Sequence, residues 1–282
     1  MTINVEQTYQ ERILKVLIYI QNNLDSELSL EELAGIAFFS PFHFHRIFTT
    51  HTGESIKSYV RRLRLERATR DLSYTDLSLM KISERAGYDT QQSFHRAFKE
   101  TYHETPKNFR THASDDIHKV SQSMLEIPSV RIKNIEPFRV AFVRHIGPYS
   151  EIMQAWHQLS VQIGLPCILS KDTLKISIAY DTTEATPENK LRYDACITLN
   201  ALPDFKPKGQ IGAQTIHGGN YAVVTHHGAL ETIESTYIAL FGLWLPQSGH
   251  EPSDHPNFLL HRTNPIETAT DQLITDIYLP IK

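Results

Sequence analysis

The sequence repeats itself at two different periods, and the two repeats divide the chain. Early on, Leu28-Ser29-Leu30 recurs as Leu77-Ser78-Leu79, and Phe44-His45-Arg46-Ile47-Phe48 recurs as Phe94-His95-Arg96-Ala97-Phe98. The offset is 49 residues and then 50, so the copies differ by one loop residue. Farther on, Ala141-Phe142-Val143-Arg144-His145-Ile146-Gly147 returns as Ala222-Val223-Val224-Thr225-His226-His227-Gly228 at an offset of 81, with Trp156 against Tyr237 and Leu159 against Leu240. Asp194-Ala195-Cys196 matches Asp276-Ile277-Tyr278 at 82. A unit shorter than a domain cannot bury its apolar face alone and packs on its copy. Two domains are therefore expected, residues 1–112 and 127–282. The stretch 113–126 between them is polar and without a sustained apolar period, and reads as a linker.

The formal net charge of −4 argues against a polycation that coats nucleic acid. Resolved by segment, the sum hides an asymmetry. Residues 40–112 carry 13 basic and 8 acidic side chains, whereas 113–282 carry 13 and 18. No apolar run is long enough to cross a membrane, and the polar start resembles no secretory leader, so a cytoplasmic chain is expected. Cys167 and Cys196 form no C-x-x-C pair and read as reduced thiols.

In the first domain the apolar spacing is helical. Ile13, Leu14, Leu17 and Ile18 mark a first helix, and Ser29 with Glu32 is a capping box before Leu33 and Ile36. Ser40-Pro41 opens a short helix with Phe44, Ile47 and Phe48 as its apolar face. Ile56 to Leu72 is a longer helix, whose Arg61, Arg62, Arg64, Arg67 and Arg70 form either a solvated basic face or a set of phosphate contacts. Leu77 to Ala86, a turn, and Gln91 to Tyr102 repeat the earlier pattern. Each copy thus reads as helix, turn and second helix with a polar outer face, the arrangement that places a helix in the DNA major groove. The outer faces offer Phe42, His45 and Arg46 in one copy, and Gln91, Gln92, His95 and Arg96 in the other. Arginine can grip guanine with two bonds, glutamine can pair with adenine, and an aromatic ring can meet a thymine methyl. Seventeen residues of connecting helix span about 25 Å, short of the ~34 Å of one DNA turn, so tilt or DNA bending makes up the difference.

These residues resemble the double helix-turn-helix domain of the AraC/XylS family. The match runs through Leu79-x-x-Ile82-Ser83-x-x-Ala86-Gly87-Tyr88, Ser93-Phe94-x-Arg96-x-Phe98-Lys99 and Thr105-Pro106-x-x-Phe109-Arg110. The resemblance implies the same two reading sets, double-stranded DNA and RNA polymerase as partners, and DNA binding without a need for dimerisation. His103 departs from it, standing where the family usually has glycine.

The second domain alternates strands and helices. Ile127 to Val143 reads as two short strands broken at Glu136-Pro137, Glu151 to Gly164 as an amphipathic helix, and Leu174 to Tyr180 and Tyr193 to Leu199 as strands. The unit then restarts with Tyr221 to Thr225, a helix from Glu231 to Trp244, and strands near Phe258 to Arg262 and Ile274 to Leu279. Two strand–helix–strand–strand copies are expected to form one sheet with helices on one side, an α+β architecture behind an all-α first domain. A groove between the copies is a natural ligand site.

This half resembles the GyrI-like effector-binding domain of Rob-like regulators. The supporting residues include Gly147-Pro148-Tyr149, Arg192-Tyr193-Asp194-Ala195-Cys196, Gly218-Gly219-x-Tyr221, Trp244-Leu245-Pro246 and Asp276-Ile277-Tyr278. The resemblance implies a small-molecule effector. The candidate groove lining is Tyr149, Trp156, Tyr180, Tyr193, Trp244, Leu259, His261 and Tyr278. Where the family carries Glu-x-Tyr, this chain has Leu259 and His261. Without that carboxylate a cationic ligand is disfavoured, and so is general-base chemistry.

No metal or other cofactor is expected. There is no H-E-x-x-H and no P-loop, and the cysteines lack zinc spacing. The leading reading is a non-enzymatic, ligand-sensing transcription regulator. The alternatives are a GyrI-like hydrolase, or a protein that sequesters a toxic compound, with a regulatory DNA-binding domain.

Overall fold

The computed structural model describes residues 5–123, 129–200, 202, 204–264 and 267–282. Helices come first: α1 (Val5–Asn22), α2 (Leu30–Ile36), α3 (Pro41–Thr52), α4 (Ile56–Tyr74), α5 (Leu79–Arg85), α6 (Gln91–Tyr102) and α7 (Pro106–Ser123). Their starts are set locally. Ser29 accepts from the Glu32 N–H, Ser40 from His43, Ser55 from Ser58, Ser78 from Lys81, and Thr90 from Ser93. Each hydroxyl satisfies one amide that a helix start leaves without an intrahelical partner.

Helix α4 belongs to two cores at once. Tyr59, Val60 and Leu63 pack with Ile13, Leu17, Leu33, Phe44 and Phe48. Leu65, Ala68 and Leu72 pack with Ile82, Phe94 and Phe98. The two helix-turn-helix heads, α2–α3 and α5–α6, are thereby fixed to opposite ends of one rod.

The second half contains β1 (Arg131–Ile135), β2 (Phe138–Ile146), α8 (Met153–Ile163), a short α9 (Leu165–Leu169), β3 (Lys175–Ala179), β4 (Arg192–Thr198), β5 (Ile211–Ile216) and β6 (Gly219–His227). It continues through α10 (Ile233–Ile238), a π-helical stretch (Ala239–Trp244), α11 (Leu245–Ser248), β7 (Phe258–His261) and β8 (Ile274–Ile281). Among the described residues, eight strands form one antiparallel sheet in the order β1-β6-β8-β7-β3-β4-β2-β5. The repeat offsets make β1 equivalent to β5, β2 to β6, β3 to β7 and β4 to β8. Exchanging each strand for its equivalent reverses the order, so a pseudo-twofold axis runs between β7 and β3. The outermost strands are swapped: β1 pairs with β6 of the second repeat, and β5 with β2 of the first. The halves meet through three register pairs, Lys175–His261, Ile176–Leu260 and Ser177–Leu259.

One face of the sheet carries α8 over Ala141, Val143 and Tyr193, and the second-repeat helices over Ala222, Val224 and Ile277. The other face, with Phe142, Ile178, Cys196, Tyr221 and Phe258, receives Leu14 and Ile18 of α1. The amino-terminal helix therefore lies between its own head and the sheet. Among the described residues no helix is long and apolar enough to cross a membrane.

The structure corrects two expectations and adds one strand, β5. Residues 113–123 of the expected linker continue α7, and 124–126 lie outside the described residues. This helix is held by contact with the π-helical stretch, where Gly242 leaves room for Ile117. The expected helix from Glu231 to Trp244 runs on without a gap but changes pitch, passing at Ala239 from α10 into the π-helical stretch. Strand β5 escapes the alternation rule because Gly212 interrupts it. Its bare Cα admits Phe142 and Leu14, which a Cβ would approach to 2.5 and 2.9 Å.

Two turns hold left-handed backbone at residues with side chains. Phe38 has φ +53° where the second copy has Gly87 at +78°, and His103 has φ +62° where the first copy has Gly53 at +72°. Phe38 is also 76% exposed, so it recovers no burial energy. Phe38→Gly is expected to raise stability by about 1 kcal/mol. Gly87→Ala is expected to lower it by ~1–2 kcal/mol, because the new Cβ would also displace the Arg64 guanidinium from its carbonyl partners. Chemical denaturation of the two variants checks both signs.

Candidate functional site

Helices α3 and α6 each bury one face and leave the other open. Phe44 and Phe48 hold α3, and Phe94, Ala97 and Phe98 hold α6. On the outer side Phe42 is 82% exposed, and His45, Arg46, Gln91, Gln92, His95 and Arg96 are all exposed. All seven expected reading residues therefore stand on two equivalent open faces. A cleft of about 500 Å³ opens between the heads. Lys57, Arg61, Tyr88 and Arg96 line it over an apolar floor of Ile56, Val60 and Ala97.

The α4 arginines are divided differently from the sequence reading. Arg61 stays exposed, 3.5 Å from Glu100. Arg64 donates to the carbonyls of Leu24 and Ser26 at 2.9 and 2.8 Å. Arg67 donates to the Arg85 carbonyl at 2.5 Å and pairs with Asp25 at 2.6 Å. Arg62 pairs with Glu54 at 2.7 Å and Glu66 at 2.9 Å. Arg70 lies among Asp71, Asp181 and Arg192. The expected basic face is largely consumed inside the first domain, where carbonyls and carboxylates beside α4 engage Arg62, Arg64 and Arg67.

In that half the expected groove residues fall on both sides of the sheet. Tyr149, Trp156 and Tyr193 cluster under α8, and Leu259 and Trp244 under the second-repeat helices. His261 bridges the two, with its ring edge-on to Trp156 at 5.9 Å. Tyr180 and Tyr278 lie on the opposite face. There Tyr180 donates to Asp194 at 2.8 Å, and Tyr278 stacks on Phe258 at 4.6 Å. The strands alternate, so residues of odd and even register cannot share one face.

A polar chain that the sequence did not reveal runs across the β3–β7 seam, on the face that α8 covers. Trp156 Nε1 donates to the Tyr193 hydroxyl at 2.9 Å, which lies 2.5 Å from Ser177 Oγ, itself 2.6 Å from His261 Nε2. Indole N–H can only donate. A single proton order satisfies each member in turn: Tyr193 donates to Ser177, and Ser177 donates to His261. The His261 ring is then neutral, with its proton on Nδ1. Burial acts in the same direction, lowering its pKa to about 4 and raising that of the Tyr193 phenol to about 12. Ser177 sits at an inward position of an alternating strand, and only its cross-strand neighbours show that it is more than a core residue. Nearby, the Tyr149 hydroxyl donates to the Asp181 carbonyl at 2.7 Å. Among the described residues no group of three or more metal-ligating side chains converges.

Comparison with known proteins agrees with this geometry. Residues 128–282 match the family described as GyrI-like small molecule binding domain, and residues 33–112 match a helix-turn-helix domain. Transcriptional regulator Rob of Salmonella typhimurium is 24% identical over 82% of this chain and 83% of its own. The uncharacterized HTH-type transcriptional regulator YbfP of Bacillus subtilis is 35% identical, but the match spans 42% of this chain and 40% of that relative. A solved structure of EcmrR bound to DNA covers 90% of this chain at 14% identity, with a TM-score of 0.47.

The depressed pKa of His261 makes stability depend on pH. The unfolded chain takes up this proton below pH ~6.5, while the folded chain resists it until about pH 4. Stability from this residue is therefore intact above pH ~6.5 and falls as pH drops toward 4, by up to about 3 kcal/mol. His261→Asn should flatten that part of the acid limb in urea titrations at successive pH values.

Proposed function

Because the chain belongs to the GyrI-like small-molecule-binding family, with an AraC-type helix-turn-helix domain ahead of it, we propose that it reads a specific DNA site with both heads and tunes transcription to a small molecule held in the groove. It is an AraC-type DNA-binding transcription regulator. The observation that carries the finer reading is the pair of equivalent, open polar faces on α3 and α6, fixed to the two ends of α4. Phe42, His45 and Arg46 would meet one major-groove segment, and Gln91, Gln92, His95 and Arg96 the next. Two reading helices in one chain make dimerisation unnecessary for a two-segment site. RNA polymerase is the proposed partner on DNA, and the cytoplasm with its nucleoid the proposed location.

The groove favours a neutral or anionic ligand with an apolar body. Leu259 is buried where a carboxylate would draw a cation, and the neutral His261 retains an Nδ1–H to offer an acceptor. Tyr149, Trp156, Tyr193 and Trp244 supply aromatic surface. No carboxylate stands at position 259 to act as a general base, which supports a sensor over a hydrolase.

Duplex selection followed by salt titration tests the DNA reading. Affinity should fall steeply with salt. Arg96→Ala should cost roughly 1–3 kcal/mol and relax one base position, whereas absent or salt-insensitive duplex binding would overturn the reading. Both tryptophans of the chain, Trp156 and Trp244, belong to the proposed lining. Intrinsic fluorescence should therefore respond to aromatic carboxylates and neutral aromatics and stay unchanged with aromatic ammonium ions. The reverse order would overturn the ligand class, and turnover of a groove ligand would reassign the domain to hydrolysis.

A further inference from the structure

The two heads dock on different halves of the sheet. The first head is held through α1. Leu14 and Ile18 lie on the open face, Gln21 accepts from Arg144 at 3.2 Å, and Glu11 accepts from the Gly209 N–H at 2.5 Å. These contacts lie around β2, β4 and β5, in the half on one side of the pseudo-twofold axis. The second head is held by the other half. Arg85 pairs with Asp254, the Tyr74 ring lies tilted against Phe241 at 4.4 Å, and Ile117 fills the space left by Gly242.

Between these two grips, α4 crosses the end of the sheet where the halves meet. Arg192 holds Asp181 through two bonds of 2.9 and 2.5 Å, and its guanidinium lies 3.7 Å from Glu66 of α4. Glu66 continues to Arg62, and Arg62 to Glu54, which also pairs with Lys190 at 3.1 Å. Glu66 is buried; Arg62 holds one of its oxygens, and the other has no hydrogen-bond partner and lies 3.7 Å from the Arg192 guanidinium. Asp181 is the residue whose carbonyl receives the groove's Tyr149 hydroxyl.

We propose that the sheet acts as a caliper for the two reading helices: α4 joins the heads as a shared rod, each half of the sheet grips one of them, and the separation of the halves therefore sets how the heads are angled about that rod. Glu66 and Asp254 are positioning residues in this arrangement. Three strand-register pairs join the halves, and the Tyr193–Ser177–His261 chain of the proposed ligand site lies across that seam. A molecule seated there touches Trp156 on one side and Leu259 or Trp244 on the other, and spreading or closing the seam moves the heads. This inference rests on the DNA reading above.

The test uses the full chain and duplexes that carry both half-sites with their spacing changed by one or two base pairs. Asp254→Arg places like charge against Arg85 and loosens the second grip without touching a reading face. Its penalty for shifted spacing should shrink at least threefold relative to the unaltered chain, while affinity for a single half-site stays the same. Ile117→Cys with Gly242→Cys can re-tie the grip, since a Cβ on residue 242 would stand 3.4 Å from that of residue 117. In an Asp254→Arg, Cys167→Ser background, oxidation should restore the steep spacing penalty and reduction should remove it again. A spacing profile identical to the unaltered chain, in both redox states, would overturn the caliper. Absence of sequence-specific binding by the unaltered chain would overturn the DNA reading and the caliper together.

Discussion

The buried charge of Arg192 is the constraint around which the two halves of the molecule are arranged. A guanidinium removed from water costs several kcal/mol unless carboxylates meet it in good geometry. Asp181 supplies that geometry from within the sensor half, and Glu66 adds a second carboxylate from α4. Burial raises the Glu66 pKa and Asp181 adds to the rise, while Arg62 and Arg192 oppose it by favouring the charged carboxylate. Removing either basic partner would leave an acidic pair facing each other in a site with little water. The connecting helix is therefore not free to slide along the sheet. A second buried pair, Arg144 with Asp194, is completed by Tyr180 and Gln214 and reaches Gln21 of α1.

The sheet turns this docking into geometry. Exchange of β1 and β5 between repeats ties the halves at their margins, while only the short β3–β7 pairing joins them at the centre. Helices cover one face, and α1, borrowed from the first head, covers the other. An open antiparallel sheet commonly leaves one face to water. Here that face is apolar, and it is the surface on which the reading domain rests. Groove, seam and docking surface thus belong to the same few strands.

Much of this was legible in the residues. The 49-to-50-residue repeat located both heads, and the Ser and Thr caps marked their helices because capping is a local exchange of one hydrogen bond. The open faces of α3 and α6 followed from helical periodicity alone. The groove was legible only in part. Tyr180 and Tyr278 carry the right chemistry on the wrong face, and a family resemblance does not set strand register. Ser177 was missed because its partners, Tyr193 and His261, lie on two other strands. The α4 arginines looked like a DNA-facing or solvent-facing stripe, since nothing in their spacing announces that the Leu24 and Ser26 carbonyls, Asp25 and the Arg85 carbonyl fold back onto them.

The sequence by itself determined what depends on near neighbours: where helices start, which helix faces stay polar, and that each domain is a doubled unit. Tertiary structure decided what depends on residues far apart in the chain. It drew 113–123 into α7 through the Ile117–Gly242 contact, laid α1 on the sheet, and consumed Arg62 and Arg67 in ion pairs. The physical reason is range. A cap or an apolar stripe is satisfied within one or two turns of helix, whereas a buried charge takes its position from whichever oppositely charged group the completed fold brings within about 4 Å.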